Sequence, residues 1–243
     1  MKKGILFDLD NTLYNYDECH KNGLKESYKI IKSNYHLSFD EFCNYYHKAR
    51  SEIHKELNGY ASSHNRILYF QKIISFLNSD FNCDNILELY DSYYNGFFDE
   101  MILFEGVIDL LKKLKKKKIK TGIVTNLNSL IQLKKINYLG ISKYIDVVVT
   151  SEESSREKPH SSIFLLALHK LNVKPNEVIM VGDSIESDIL GANSLNIDSL
   201  LLDKNFNIDL NEYFSDKIKK SNCVKFQKFK EISDYLIEDF NLK

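Results

Sequence analysis

The sequence predicts an α/β protein, a doubly wound parallel sheet with an all-helical subdomain inserted after the first strand. Three observations predict it. Five short runs are continuously apolar rather than alternating, as in parallel strands buried on both faces. Helical periodicity fills most of the intervals between them. The interval from about Tyr16 to Glu100 holds no strand-like run and is far longer than a crossover helix requires. A chain of 243 residues has room for one such domain with an insert.

The elements follow in order. Gly4 to Phe7 is the first strand. Amphipathic segments Gly23 to Ile31, Phe39 to Leu57, Arg66 to Leu77 and Asn85 to Phe98 then form the insert, rich in Tyr, Phe, Leu and Ile. Val107 to Leu114 is helical and leads to the strand Gly122 to Val124. A third strand covers Val147 to Val149, and Ile163 to Leu171 has apolar positions at helical spacing. Val178 to Val181 is the fourth strand. The helix Asp188 to Leu195 follows, with Asn196 as a left-handed C-cap, and Leu200 to Leu202 is the fifth strand. Residues 1–15 and 101–243 are therefore expected to form the α/β core, and residues 16–100 the helical subdomain. In an open α/β sheet this insert stands beside the carboxyl ends of the strands, where ligands bind.

Bulk charge excludes some functions. Lys and Arg number 33 against 34 Asp and Glu, so no global basic field exists for nucleic acid. Cys19, Cys43, Cys83 and Cys223 are dispersed, without a C-x-x-C pair, as expected for idle thiols in a reducing compartment. Lys2 and Lys3 precede an apolar run that ends at Asp8, too short for a signal peptide. No segment approaches the roughly 18 apolar residues of a membrane span. The expectation is a soluble cytoplasmic protein, monomeric or a small homo-oligomer, with neither nucleic acid nor membrane as partner.

Chemistry is concentrated at the ends of the predicted strands. The first runs into Asp8-Leu9-Asp10-Asn11-Thr12. In extended backbone Asp8 and Asp10 point the same way, and two carboxylates sharing a site do not both ionise cheaply without a cation. A divalent metal can fix one as an anion while the other keeps a proton, giving a nucleophile and a general acid. The fourth strand runs into Gly182-Asp183-Ser184-Ile185-Glu186-Ser187-Asp188, whose carboxylates suit Mg²⁺. Asp188 reads equally well as a helix-cap carboxylate. Thr125-Asn126, at the end of the second strand, offers a hydroxyl and backbone N–H groups to a phosphoryl oxygen, or forms an ordinary turn. After the third strand, Lys158-Pro159 places a cation at the mouth of the sheet, ahead of a helix that Ser161 or Ser162 can cap. Each signal alone also fits a solvated turn or loop. Four in order, each after a predicted strand, are far more specific.

On these residues the chain resembles the haloacid dehalogenase-like (HAD) hydrolase superfamily, in its phosphatase branch with a C1-type helical cap on a Rossmann-like core. The four motifs are Asp8-Leu9-Asp10-Asn11-Thr12, Thr125-Asn126, Lys158-Pro159 and Gly182-Asp183 through Asp188, and the likeness covers nearly the whole chain. It implies that Asp8 is the nucleophile forming an aspartyl-phosphate. It further implies that Asp10 protonates the leaving oxygen, activates water and offers its backbone carbonyl to Mg²⁺. Thr125, Asn126 and Lys158 would bind the phosphoryl group, and Asp8, Asp10, Asp183 and Asp188 would serve the metal, Asp188 through water or Lys158. The implied activity is Mg²⁺-dependent hydrolysis of a small phosphorylated metabolite, a sugar phosphate or a nucleoside monophosphate. A sugar phosphomutase shares these motifs. Dehalogenases of the superfamily lack an acid at the position of Asp10, and a catalytically silent binding protein would have lost Asp8, Asp10, Lys158 or Asp183. Departures from the family pattern are Asn11 in place of Gly, Glu105-Gly106 in place of Pro-Gly, Ser154 or Ser155 in place of a loop Gly, and Leu127 where small residues are frequent.

Weaker features remain. The lysine run from Lys112 to Lys120 reads as a solvated helix end complementing the helix dipole. Arg66, one of few arginines, can reach a substrate carboxylate or phosphate, and His64 lies beside it. Most aromatics of the insert should be packing, with Tyr14, Tyr16 and Tyr60 as candidates to line a substrate pocket.

Overall fold

The computed structural model describes residues 2–77, 82–205 and 223–242. Its sheet contains strands β1 (Gly4–Phe7), β2 (Lys120–Thr125), β3 (Val147–Thr150), β4 (Val178–Gly182), β5 (Asp198–Leu202) and β6 (Cys223–Phe226). Their order is β3-β2-β1-β4-β5-β6, and every pairing is parallel. The five expected strands are present, each within two residues of its expected ends. The sixth lies at the sheet edge, where Val224 is exposed and Lys225 interrupts the apolar run, so the signature of a strand buried on both faces is missing.

The helices are α1 (Tyr16–Asn34), α2 (Phe39–Glu56), α3 (Arg66–Phe76), α4 (Cys83–Asp99), α5 (Val107–Lys116), α6 (Ser129–Tyr138), α7 (Ser151–Ser154), α8 (Ser161–Leu171), α9 (Leu190–Asn193) and α10 (Phe229–Asp239). Capping fixes several of them. Ser38 and Glu41 form a reciprocal capping box at the start of α2, and Asn15 accepts from the Glu18 N–H at the start of α1. Two expected caps differ. His160, not Ser161 or Ser162, caps α8, accepting from the Ser162 N–H. Asp188 does not open a helix. It lies within a single π-helical turn, Ile185–Ile189, capped by Ser184. Asn196 adopts the expected left-handed backbone, with φ of 59°.

Alternation along β1 divides the core. Ile5 and Phe7 face α5 and α10, burying Leu110, Leu114, Ile232 and Leu236. Leu6 faces α8 with Val124, Val149, Met180, Phe164 and Leu168. Burying each such side chain contributes about 1.5–3 kcal/mol.

Helices α1–α4 lie between β1 and β2 in the chain, and their aromatic interior continues the first of these cores. Tyr46, Tyr69, Phe70 and Tyr93 are fully buried, so most aromatics here are packing, as expected. Tyr14 pairs with Asp10 and Leu103 through isolated β-bridges, so the chain leaves and re-enters the sheet region side by side. No helix among the described residues is long and apolar enough to cross a membrane. All four cysteines are free thiols, with Cys19 buried.

The α1–α4 crossing is close. Ser27 donates from its hydroxyl to Leu89 O at 3.1 Å, and Asn22 Nδ2 to Gly96 O at 2.8 Å. A Cβ at Gly23 would lie 2.7 Å from Tyr93 O. Two effects therefore oppose each other in Gly23→Ala. Helix propensity favours alanine by about 1 kcal/mol, whereas overpacking against a rigid backbone costs about 1–3 kcal/mol. We expect net destabilisation of about 1 kcal/mol by urea denaturation, and a variant more stable than the parent would show that this crossing is loose.

Candidate active site

Strand order places the site. The chain moves from β1 outward to β3, then returns to the other side of β1 as β4, so β1 and β4 flank the topological switch point. Asp8 follows β1 and Asp183 follows β4, with the Asp8 N–H held by Val181 O at 2.8 Å. Thr125 ends β2, and Lys158 arrives on the loop between α7 and α8. Residues far apart in sequence thus converge at one sheet edge.

Lys158 is their centre. Its ammonium donates to Asp8 Oδ1 at 2.5 Å, Asp188 Oδ1 at 2.7 Å and Val124 O at 3.0 Å. An ammonium has three protons, and here all three are used. Asp8 and Lys158 are each 6% exposed and Asp188 is 1% exposed. Thr12 Oγ1 donates to Asp8 Oδ2 at 3.0 Å, with Asp183 Oδ1 at 3.4 Å. Asp188 Oδ2 accepts the Ser184 N–H at 3.1 Å. Gly182 is required here, because a Cβ on it would collide with the Asp188 carboxylate.

Negative charge exceeds positive charge in this cluster. Burial, reinforced by Asp188 and Asp10 and opposed by Lys158, pushes the Asp8 carboxyl up to about 7. Burial and the nearby Asp8 and Asp188 carboxylates push Asp183 up to about 8. Burial alone would lower Lys158, but Asp188 and Asp8 outweigh it and hold the ammonium above its usual range. One lysine does not balance three carboxylates. Asp8, Asp183 and Asp188 each offer an oxygen within 4.8 Å of the others, an all-oxygen donor set suited to a hard divalent cation. The residues present therefore fit a metal.

Asp10 departs from expectation. Its carboxylate is taken by α6 and Tyr14. Lys135 Nζ donates to both Asp10 oxygens at 2.8 Å, Tyr14 Oη to Oδ1 at 2.5 Å and Gln132 Nε2 to Oδ2 at 3.4 Å. Burial alone would raise Asp10, but Lys135, Tyr14 and Gln132 together hold it below the ordinary carboxylate range. The expected raised pKa is corrected accordingly, because the expectation lacked a buried cation on this side. The Asp10 carboxylate is likewise not among the three that converge for a metal.

The other expected residues are distributed around this centre. Asn126 Oδ1 accepts the Lys158 N–H at 2.9 Å, so it fixes the Lys158 loop. Thr125 is buried, its hydroxyl accepting from Gln132 Nε2 at 2.6 Å. Tyr14 is fully buried, its hydroxyl donating to Asp10. Tyr16 accepts from Arg66 Nη2 through its hydroxyl. Tyr60 is half exposed, with Arg156 over its ring, and His64 pairs with Glu157 at 2.8 Å. Sequence reasoning assigned no role to Thr12, Gln132 or Lys135. The available signal was that Gln132 and Lys135, three apart, share a helix face with apolar Ile131 and Ile136 on the same helix.

Comparison with known proteins agrees with this geometry. Residues 5–202 match the family model described as haloacid dehalogenase-like hydrolase. A ribulose-1,5-bisphosphate 5-phosphatase from Halopiger xanaduensis is 35% identical, with 87% of this chain and 89% of that one aligned. A glyceraldehyde 3-phosphate phosphatase from Methanocaldococcus jannaschii is 30% identical over 80% of this chain and 82% of its own. Among solved structures, a HAD phosphatase from Thermococcus onnurineus superposes with a TM-score of 0.70 at 24% identity, covering 97% and 98% of the two chains, and shares the fold. With its motifs, sheet order and relatives in accord, this chain belongs to the haloacid dehalogenase-like hydrolase family.

Proposed function

We propose that this protein is a Mg²⁺-dependent phosphatase that hydrolyses a small phosphate monoester, a sugar phosphate or a nucleoside monophosphate, through an aspartyl-phosphate on Asp8. Its class, a hydrolase of phosphate monoesters, accords with the phosphatases it resembles at 30–35% identity. The observation that carries the mechanism is the position of Asp8. Its carboxylate is buried just past the end of β1, held on one oxygen by Lys158 and on the other by Thr12.

In this reading Asp8 attacks phosphorus and Lys158 neutralises charge on both partners, as phosphoryl transfer requires. Asp8, Asp183 and Asp188 would hold Mg²⁺, which supplies the remaining positive charge for the transferring group. Thr125 and Asn126 complete the phosphoryl pocket at the end of β2. Asp10, ionised beside Lys135, accepts a proton from the hydrolytic water in the second half-reaction. In the first half a bound phosphoryl group adds negative charge next to Asp10 and draws its pKa upward, so that Asp10 takes up a proton from solvent as substrate binds and passes it to the leaving oxygen. Residues 16–100 act as a cap over the core formed by residues 1–15 and 101–243. Because Asp8 and Lys158 are almost closed off, the cap swings about Tyr14 to Asp17 and Phe98 to Leu103 to admit substrate.

Asp8→Asn should reduce phosphate release from an aryl phosphate by about three orders of magnitude or more, and chelation should abolish turnover until Mg²⁺ is restored. Retention of full activity by the variant would sink the mechanism. A second expectation concerns stability. Without metal, Asp8 and Asp183 titrate at about 7 and about 8 in the folded protein, both above the ordinary 3.8. A raised folded-state pKa stabilises below the unfolded value, and that contribution is lost as pH rises through the folded value. The melting temperature in chelator should therefore fall between about pH 4 and about pH 8, and Mg²⁺ should raise it most at the upper end. A Mg²⁺ shift independent of pH would contradict this electrostatic account.

A further inference from the structure

Away from the two hinges, every hydrogen bond that joins the insert to the core among the described residues ends on Glu157, the residue before Lys158. Its backbone N–H donates to Gly59 O at 3.3 Å. Its carboxylate accepts from Ser63 Oγ at 3.3 Å and pairs with His64 Nε2 at 2.8 Å, both on Oε1. Beside it, Arg156 lies over the Tyr60 ring, the guanidinium carbon 5.4 Å from the centroid. Ser63 is buried, and the side chains of His64 and Glu157 are only 23% and 15% exposed. A hydrogen bond to a carboxylate so shielded is worth more than one at the surface.

Each side of this contact is fixed within its own unit. In the insert, Tyr69 is fully buried and its hydroxyl donates to Ser63 O at 2.5 Å. A tyrosine hydroxyl has one proton, so His54 Nε2, 2.9 Å away, is the donor to it. The His54 ring stands perpendicular to that of His64 at 4.6 Å, and His64 O accepts from Arg66 Nη1 at 2.5 Å. In the core, the Lys158 N–H is held by Asn126 Oδ1 at 2.9 Å, and Glu157 O accepts the His160 N–H at 2.9 Å. The Glu157 carboxylate, by contrast, has its hydrogen-bond partners in the insert alone among the described residues.

We propose that Glu157, with His64 and Ser63, is the latch that positions the insert over the active site during phosphoryl transfer. This rests on the phosphatase reading above and on the cap motion it includes. Because the chain leaves and re-enters the core side by side, the two hinges form one axis and do not by themselves hold the insert closed. The third attachment, at Glu157, supplies that hold. It lies one residue from the lysine that pairs with Asp8, so the closed insert is registered against the reacting group itself. A reversible latch needs groups that water can take over on release. A crevice of about 350 Å³ lined by Tyr60, Asn65, Asn128 and Ser155 runs along this seam and gives water that access.

The test reads the seam first without turnover and then with it. Backbone amide exchange is followed at Glu157 and Lys158 in the folded parent and in His64→Ala. Exchange at Glu157, whose N–H crosses the seam, should quicken about tenfold or more, while Lys158, held by Asn126, stays within about twofold of the parent. With Mg²⁺ and an aryl phosphate, kcat should fall about tenfold in His64→Ala and in Glu157→Ala as the closed state loses population. The double variant should be no slower than either single one, within about twofold, because both changes remove the same contact. His64→Gln, which keeps a donor for the carboxylate, should recover part of the loss. Should an alanine variant fail to fold, Ser63→Ala and Glu157→Gln carry the same pattern at smaller size. Unchanged exchange at Glu157, an unchanged kcat, or losses that multiply in the double variant would each overturn the latch. Equal quickening at Lys158 would overturn it too, since the substitution would then have loosened the core loop. The expected exchange pattern in a parent without turnover would keep the latch and reject the phosphatase. An active parent whose variants keep its kcat would do the reverse.

Discussion

The structure depends on a buried ion cluster that the fold must hold together, in which the Lys158 ammonium is shared by Asp8 and Asp188. Each partner belongs to a different part of the chain, and each is nearly sealed from water. Taking such charges out of water costs several kcal/mol per ion unless geometry and hydrogen bonding compensate. Compensation comes from the Val124 carbonyl, the Thr12 hydroxyl and the Ser184 N–H, each at the end of or just beyond a strand. The sheet order is what brings them together. With β1 between β2 and β4, the ends of three strands meet within reach of one lysine.

The cluster also explains local backbone features that would otherwise look like defects. Gly182 has no Cβ because the Asp188 carboxylate occupies that space. The π-helical turn at Ile185–Ile189 carries Asp188 back under β4 toward Lys158. Three of the departures from the family pattern share a single property. Asn11, Leu127 and Ser155 all have positive φ, at 63°, 103° and 61°, the region glycine occupies without penalty. Asn11 tolerates it readily and uses its side chain to tie Tyr16, Asp17 and Lys204 to the loop. Leu127 is the more strained case, fixed by Ser151, whose hydroxyl meets its N–H at 2.9 Å.

Much of this was legible in the sequence because it is local. Continuous apolar runs announced five strands, and the carboxylates and lysine that follow them announced the cluster. The remainder depended on tertiary context. β6 lacked the apolar run because an edge strand is wetted on one side. Lys135 was one lysine among many, and only its burial beneath Tyr14, Tyr16 and Phe97 gives it meaning. The D-x-D spacing suggested two carboxylates facing one site. In the fold each found a different ammonium, Lys158 for Asp8 and Lys135 for Asp10, and their pKa values moved in opposite directions.

This division of partners links the core to the helical insert. Lys135 and Gln132 belong to α6, yet the rings packed on the Lys135 ammonium are Tyr14 just before the insert, Tyr16 at its start and Phe97 near its end. Moving the insert away from the sheet would uncover Lys135, hydrate it and weaken its hold on Asp10, since the same ion pair is worth much less in water than in a buried setting. Returning the insert would restore the low-dielectric environment with substrate in place. Under the proposed mechanism, the motion that admits a phosphate ester is then also the motion that sets the proton affinity of the residue serving its leaving group. Asp8, held by the core alone through Lys158 and Thr12, would keep its orientation throughout.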